Sequence, residues 1–141
     1  MIDVTWEEFI RDIRILASKL EGKGFDKILV ITKGGLIPAY FLAKHLGIDY
    51  ISTFCVKSYD DGNNKRGELE IIKADDYYGA RWLVVDDLID SGETLNLIKK
   101  YYGNVEVAVV YKKAGAPKGL VDYFVEELPK AWVNFPWELK T

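Results

Sequence analysis

The sequence contains a single cysteine, Cys55, and a single histidine, His45. One cysteine excludes an internal disulfide, which agrees with a reducing compartment. We expect Cys55 to be a buried strand residue rather than a nucleophile. His45 lies near the end of a predicted helix, where a surface position facing the helix dipole is expected, and it is assigned no catalytic role.

Long apolar runs and dense basic blocks are also missing. No run reaches the eighteen apolar residues of a membrane-spanning helix, and residues 1–4 show no signal-peptide pattern. We therefore expect a soluble, cytoplasmic protein with no integral membrane segment. The net charge of −3 counts against nucleic-acid binding. An apolar content of 49% over 141 residues is typical of one globular domain spanning residues 1–141.

The most informative stretch is residues 82–94, with the sequence WLVVDDLIDSGET. An apolar run ends in two adjacent carboxylates, and a third carboxylate opens a short turn before helical spacing begins. The pattern predicts a buried parallel strand, a tight loop at its carboxyl end and a helix from about Thr94. Ligands bind at the carboxyl ends of strands in open α/β sheets. Gly92 beside the free N–H groups of a helix start suits a phosphate.

Three carboxylates beside this loop, Asp86, Asp87 and Asp90, do not suit a simple phosphate. They suit a phosphorylated sugar, because carboxylates accept hydrogens from ribose hydroxyls while Mg²⁺ bridges carboxylate and diphosphate oxygens. The alternative is that these residues bind no ligand and form a solvated acidic loop after a core strand.

Strands and helices are predicted to alternate along the chain. Residues 68–73 are expected to return as a hairpin arm after a mobile loop at residues 58–67. The alternation predicts an α/β fold with a mostly parallel sheet. Helices are predicted over residues 6–20, 36–46 and 94–102, and strands over residues 27–31, 49–57, 105–111 and 122–126 and from residue 82.

A second candidate anion cradle follows the strand at residues 27–31. It contains Lys33, Gly34 and Gly35, and it lacks the Gly-Lys-Ser or Gly-Lys-Thr of a P-loop. One acidic and one basic loop in the same sheet are more specific than either alone. Four strand ends are expected to converge, and they carry residues 33–35, Ser58 with Tyr59, residues 86–94, and Lys113.

The thirteen residues 82–94 resemble the signature by which type I phosphoribosyltransferases bind 5-phospho-α-D-ribose 1-diphosphate (PRPP). The resemblance covers most of the chain and is closest to the bacterial xanthine-guanine phosphoribosyltransferases. The other matching segments are Lys33-Gly34-Gly35-Leu36-Ile37-Pro38, Ser58-Tyr59 with Arg66, Lys113, and Trp132-Val133 before Pro136-Trp137.

The resemblance implies a mostly parallel sheet flanked by helices, with a small hood, mainly from residues 120–141, that holds a base. It implies purine salvage: the 5-phosphoribosyl group of PRPP passes to a 6-oxopurine (guanine, xanthine or hypoxanthine), giving the nucleoside 5′-monophosphate and diphosphate. The implied cofactor is Mg²⁺, the implied partners are these small substrates, and the implied assembly is a homodimer or homotetramer.

The resemblance also implies roles for individual residues. Lys33, Arg66 and the Gly34 N–H would face the leaving diphosphate. Asp86 and Asp87 would hold the ribose hydroxyls, with Asp87 the route to the metal. The remaining PRPP-binding residues are Ser58 and Tyr59, and Asp90, Ser91, Gly92, Glu93 and Thr94, which would wrap the 5′-phosphate.

At the purine, Asp90 would act as general base toward N7. Lys113 would donate to O6, Trp132 would stack on the ring, and the Val133 carbonyl would accept from a 2-amino group. Catalysis would rest on Asp90, Lys33 and Arg66.

Two departures from the family pattern affect these expectations. Lys33 stands where arginine is usual, which keeps the charge but loses the bidentate fork. The tail stops four residues after Trp137, so contacts made by longer tails would be absent.

Three alternative functions were weighed against this one. A hypoxanthine-guanine enzyme would share almost every residue named. A non-catalytic PRPP-sensing regulator of the same fold typically needs a basic surface. A phosphoacceptor receiver domain is excluded, because its acidic pair follows the first strand.

Overall fold

The structure is a computed structural model, and it describes residues 1–58, 68–76 and 81–138. In chain order these residues form β1 (Ile2–Asp3), α1 (Trp6–Leu20), β2 (Lys27–Thr32), α2 (Leu36–Leu46), β3 (Tyr50–Ser58), β4 (Leu69–Ala74), β5 (Trp82–Ile89), α3 (Glu93–Tyr102), β6 (Glu106–Lys113), β7 (Glu126–Leu128) and β8 (Val133–Asn134).

The main sheet has the strand order β4-β3-β2-β5-β6-β7. All of its pairings are parallel except β3 with β4, which is antiparallel. The chain thus returns to the middle of the sheet with β5, between β2 and β6. That reversal of strand order is where open α/β sheets place their ligands.

Two apolar clusters cover the two faces of this sheet. Along β2, Ile28 and Val30 join one cluster while Leu29 and Ile31 join the other, as strand alternation requires. Helices α1 and α2 pack in the first cluster, and α3 packs in the second. The central strands are therefore buried on both sides, which explains their uninterrupted apolar runs.

Helix α1 begins with a capping box. The Glu8 backbone N–H donates to Thr5 Oγ1 at 3.1 Å, and the Thr5 N–H donates to Glu8 Oε1 at 3.2 Å. This exchange satisfies two backbone donors at the helix start. The buried side of the helix carries Phe9, Ile13, Leu16, Ala17 and Leu20, the predicted stripe.

The α/β fold with a mostly parallel sheet is confirmed, as is the hairpin arm, which is β4. One expected strand was misplaced: residues 122–126 do not form it, and β7 covers Glu126–Leu128. The Asp122 and Tyr123 N–H groups both donate to the Val107 carbonyl, and Asp122 Oδ2 accepts from the Val107 N–H at 2.8 Å. A side chain takes the place of a backbone partner there, so regular pairing starts only at Glu126.

Two smaller differences concern the acidic pair and Cys55, and the expectation for His45 is confirmed. Strand β5 runs through Ile89 because its pairing with β6 continues, so Asp86 and Asp87 belong to the strand rather than to the loop after it. Cys55, expected to be buried, is partly exposed in β3. His45 lies at the surface in the last turn of α2, as expected, with Nε2 3.6 Å from a Glu21 carboxylate oxygen.

The short pair β1–β8 was not predicted. It joins the two ends of the described chain into a second, two-stranded sheet. None of the helices formed by the described residues has the length and apolar character needed to cross a membrane.

Candidate active site

The acidic pair occupies the carboxyl-terminal half of β5. The Asp87 N–H donates to Asp86 Oδ1 at 2.8 Å, and the Leu88 N–H donates to Asp87 Oδ1 at 2.7 Å. Burial raises the pKa of Asp86 well above its usual range, and the negative charge of Asp87 raises it further. Burial also raises the pKa of Asp87. Two adjacent, desolvated carboxylates favour a cation or a hydroxyl donor as their ligand.

The Lys33–Gly35 segment lies against this pair. A Cβ at position 34 would lie 2.7 Å from Asp87 Oδ2, and one at position 35 would lie 2.6 Å from the Val85 carbonyl. At position 35 the obstacle is backbone, so only glycine fits there, whereas at position 34 a Cβ would require the Asp87 carboxylate to move. The peptide bond between Thr32 and Lys33 is cis. The short distance at position 34 shows that the basic loop lies directly against the Asp87 carboxylate.

The turn between β5 and α3 forms a small cavity. Residues 86–95 line it, and its volume is about 220 Å³. Gly92 has φ = +79° and precedes Glu93, the first residue of α3. A Cβ at position 92 would lie 2.7 Å from Leu120 Cδ1 and 3.3 Å from Pro117 Cγ, so the loop after β6 supports this turn from behind. A helix start opening into a cavity favours an anion.

A larger groove of about 390 Å³ lies between α1 and α2. Ile10, Ile13 and Phe41 contribute apolar surface, and among the described residues that line the groove none is a carboxylate. We therefore choose the candidate site by the residues that line it rather than by its volume, and place it at the carboxyl ends of the strands.

Lys113, Asp90 and Trp132 come together although they lie on three separate segments. Lys113 is buried at the end of β6, and its Nζ lies 3.6 Å from Asp90 Oδ2. The same Nζ lies 5.8 Å from the centroid of the Trp132 ring, a cation–π distance. Trp132 is 68% exposed. An exposed aromatic face beside a carboxylate and an ammonium is suited to a flat polar ring.

The Val133 side chain is buried, so its backbone groups are the part to consider for the predicted contact with a base. The Ile2 N–H donates to the Trp132 carbonyl at 2.8 Å, and the Val4 N–H donates to the Asn134 carbonyl at 2.9 Å. Neighbouring residues of a strand direct their backbone groups to opposite edges. The Val133 carbonyl therefore points away from β1.

Ser58 ends β3, at the same edge of the sheet as Lys33 and Asp87. Tyr59 and Arg66 lie outside the described residues, so their predicted contacts with PRPP stay predictions. The expected mobile loop at residues 58–67 falls almost entirely outside them as well.

Two further residues of the tail have surroundings that the sequence did not predict. Trp137 stacks on Phe135 at 4.7 Å and meets Phe9 edge to face at 4.9 Å, so it packs toward α1. No role was predicted for Glu138. Burial raises its pKa, and the negative charge of Asp87 raises it further. An acidic residue directly after the Pro136-Trp137 motif was the available signal.

The donor chemistry at this edge fits Mg²⁺, which prefers oxygen ligands and retains several from water or substrate. Within residues 1–58, 68–76 and 81–138, no group of three or more His, Cys, Asp or Glu side chains is arranged to hold a metal alone. One or two carboxylates completed by diphosphate oxygens match this arrangement.

Comparison with known proteins gives a consistent result. The model of the phosphoribosyl transferase domain matches residues 4–141. A xanthine-guanine phosphoribosyltransferase from Desulfotalea psychrophila is 40% identical, over 98% of this chain and 86% of that protein. One from Chromohalobacter salexigens is 37% identical, over 96% and 83%. The crystal structure of a purine phosphoribosyltransferase from Pyrococcus horikoshii superposes with a TM-score of 0.84 at 31% identity, covering 99% of this chain and 95% of that one.

Proposed function

The chain belongs to the phosphoribosyl transferase domain family, and from that premise we propose that it is an enzyme of purine salvage. It transfers the 5-phosphoribosyl group of PRPP to a 6-oxopurine, giving the nucleoside 5′-monophosphate and diphosphate. The observation that carries the proposal is the contact of Lys113 with both Asp90 and Trp132. Through Asp90, this group adjoins the turn suited to a phosphate, so one site has a sugar-phosphate end and a purine end.

At the sugar-phosphate end, residues 90–94 bind the 5′-phosphate in the turn before α3. Asp86 and Asp87 accept hydrogens from the ribose hydroxyls, since ionised carboxylates are acceptors only. The Gly34 N–H and Lys33 face the diphosphate, together with Ser58. Tyr59 and Arg66 are assigned to the same substrate on the family resemblance alone.

Asp87 is the residue we assign to Mg²⁺, directly or through water. When bound, the ion offsets the charge that gathers on the leaving diphosphate. Lys33 adds a second positive charge on the other side of the loop contact between Gly34 and Asp87. Breaking the anomeric C–O bond to the diphosphate passes through an oxocarbenium-like state. The protein's own contribution is to hold these groups in place before that bond breaks.

At the purine end, Trp132 stacks on the ring and Lys113 donates to O6. Asp90 takes the proton from N7 as the bond to the ribose forms. The Val133 carbonyl, directed away from β1, accepts from a 2-amino group. Guanine satisfies all four of these contacts.

The main rival is a regulator of the same fold that senses PRPP and binds nucleic acid. A net charge of −3 does not favour that function. The grouping of Asp90, Lys113 and Trp132 favours catalysis, because a sensor of PRPP has no need of a purine end. A hypoxanthine-guanine enzyme is the nearer alternative and differs only in the purine preferred.

On the same resemblance we propose a homodimer or homotetramer located in the cytoplasm. Sedimentation equilibrium at micromolar concentration measures the oligomeric state directly. A monomer there would refute that part of the proposal without affecting the activity.

The decisive experiment is product analysis with PRPP, Mg²⁺ and each of guanine, xanthine, hypoxanthine and adenine in turn. The expected products are the 5′-monophosphates of the 6-oxopurines together with diphosphate. No product should form when EDTA removes the metal. Absence of nucleotide from all four purines would refute the proposed function.

A further inference from the structure

Strand β1 contacts the segment that carries the proposed purine-binding groups. Ile2 pairs with Val133 and Asp3 with Asn134 in parallel register. Backbone bonds at 2.8 Å from the Ile2 N–H and at 2.9 Å from the Val4 N–H end on the carbonyls of Trp132 and Asn134. Asn134 Nδ2 also donates to Asp3 Oδ1 at 3.2 Å.

We infer that Ile2 is a positioning residue for purine binding: its backbone N–H sets the direction in which the Trp132–Val133 segment presents its ring and its carbonyl. The inference rests on the proposed function and adds to it a residue outside the site. It concerns a backbone donor, which no side-chain pattern identifies.

The first reason is that β8 has only two residues and lies apart from the main sheet. A strand this short owes its orientation to its partner rather than to its own propensity. The bonds to β1 use the carbonyls on both sides of Val133, and the alternation of a strand then turns the Val133 carbonyl to the opposite edge. Weakening the pairing removes what directs that carbonyl.

The second reason is that the β1–β8 pairing also determines where the Trp132 side chain is placed. The Trp132 ring is exposed, and its described contact is the 5.8 Å approach to Lys113 Nζ. The Trp132 carbonyl, in contrast, is held by Ile2. The backbone of Trp132 is thus the anchored end of a side chain that has little other support, so its placement over Lys113 depends on that anchor.

Weakening the β1–β8 pairing should affect the binding of the purine and leave the binding of PRPP unchanged. Within the described part of the chain, β1 pairs with β8 and belongs to a different sheet from β5. The turn at residues 90–94 is supported from behind by Leu120 and Pro117 instead. Loosening β1 should therefore leave the PRPP contacts in place.

The test is Ile2→Pro, which removes the donor while an extended backbone is retained. Its matched control is Ile2→Ala, which keeps the N–H and loses the apolar side chain. We expect Ile2→Pro to raise the KM for guanine about three- to tenfold, as loss of one hydrogen bond allows. The KM for PRPP should change less than about twofold. Ile2→Ala should leave both constants close to those of the wild type.

Amide hydrogen exchange supplies a readout that needs no substrate. Ile2→Pro should speed exchange in a peptide covering residues 131–138, and Ile2→Ala should not. Unchanged exchange there, or an equal rise of both KM values, would overturn the inference. A wild type without turnover for any purine would refute the proposed function, and the exchange comparison would still decide whether Ile2 holds the segment.

Discussion

Asp90 adjoins both ends of the proposed site. It stands at the start of the turn that leads into α3, and its carboxylate lies 3.6 Å from Lys113 Nζ with its side chain 52% exposed. An exposed carboxylate can reach a substrate atom, and the neighbouring ammonium is itself proposed to contact the purine at O6. This position, between phosphate turn and purine, is what supports a role in proton transfer.

Asp90→Asn should keep PRPP binding and lose most turnover. The amide retains the size and one acceptor but cannot take the N7 proton. Since general acid–base catalysis contributes about 10²–10⁴-fold, kcat should fall by that order. Steady-state kinetics with guanine, paired with a PRPP binding assay, measures both quantities. A loss of less than about threefold would remove Asp90 from this role.

Gly34 offers a second test at the level of one residue. Gly34→Ala places a Cβ 2.7 Å from Asp87 Oδ2, so the carboxylate has to move. Because the obstacle is a side chain, the fold should survive while PRPP affinity falls by about tenfold, or 1.4 kcal/mol. Calorimetric titration with PRPP and Mg²⁺ measures the change.

The control for this prediction is a double-mutant cycle with Asp87→Ala. If the methyl group acts by displacing that carboxylate, Gly34→Ala should have little further effect once the carboxylate is gone. Additive losses would show that position 34 acts on PRPP directly. Gly35→Ala is the contrasting variant: its Cβ would meet the Val85 carbonyl at 2.6 Å, so it should destabilise the fold itself.

At the level of elements, the carboxyl-terminal segment carries two tryptophans with opposite surroundings. Trp132 is 68% exposed near Lys113. Trp137 packs against Phe135 and Phe9, and Phe135 in turn stacks on Tyr111 at 5.9 Å. Trp137 and Phe135 attach the segment to α1 and β6. The exposed ring of Trp132 is available to a ligand.

This contrast predicts different outcomes for two otherwise equal substitutions. Trp132→Ala should weaken guanine binding by about 1–3 kcal/mol, the worth of stacking an aromatic side chain on a base, with unfolding unchanged. Trp137→Ala should lower the free energy of unfolding by about 2–4 kcal/mol, because a packed side chain is removed. Urea unfolding and guanine titration of both variants separate the two. Equal destabilisation would contradict the assignment of Trp132.

The hairpin β3–β4 depends on a carboxylate just after β4. Asp75 Oδ2 accepts from the Thr53 N–H at 2.8 Å, and Asp75 Oδ1 lies 3.3 Å from Lys73 Nζ. The hydrogen bond from the Thr53 N–H lowers the pKa of Asp75 below its ordinary value, with a smaller contribution from Lys73. The native state therefore favours the ionised form more than the unfolded chain does.

Stability should depend on pH accordingly. The contribution of Asp75 is complete above the pKa of an unfolded aspartate, about 3.9, and is lost as pH falls through the lower native value. Asp75→Asn should cost about 0.5–1 kcal/mol at pH 7, and the difference from wild type should shrink below about pH 4. Asp76→Asn, one residue further along the chain, is the control. Thermal unfolding between pH 3 and 7 would contradict the prediction if the difference stayed constant.

At the scale of the whole molecule, the proposed site exists only because separate strand ends meet. Lys33 follows β2, the acidic pair lies in the carboxyl-terminal half of β5, Lys113 ends β6, and Trp132 precedes β8. Each group alone is common in proteins. Their convergence at one edge of the sheet is what supports a reaction between two substrates.

The base accepted is the property that tests this convergence. Lys113 donating to O6 and the Val133 carbonyl accepting from a 2-amino group favour guanine. Xanthine and hypoxanthine should follow in an order that the residues leave open, and adenine should be essentially inactive, because it sets an amino group against an ammonium. Rejection by a mismatched hydrogen-bonding site reaches about 10⁴-fold. Competition assays with equal purines and limiting PRPP rank all four, and adenine turnover comparable to guanine would overturn both assignments.

Much of the fold could be predicted from the sequence because it is decided locally. The capping box of Thr5 and Glu8 and the stripe on α1 involve residues three or four apart, and the apolar runs of β2, β5 and β6 are continuous. The parallel sheet follows from their alternation with helices. The candidate site was predictable where its residues lie near the carboxyl ends of strands, as Lys33, Asp87 and Lys113 do.

What only the tertiary structure decided involves partners far apart in the chain. Asp3 and Asn134 are 131 residues apart, and nothing in two short segments specifies their pairing. The packing of Trp137 against Phe9 and the start of β7 at residue 126 likewise depend on space and hydrogen-bond partners that other elements leave available. Local patterns determine which segments become helices and strands, but long-range packing decides where a chain end can attach, because that depends on surfaces formed by the rest of the fold.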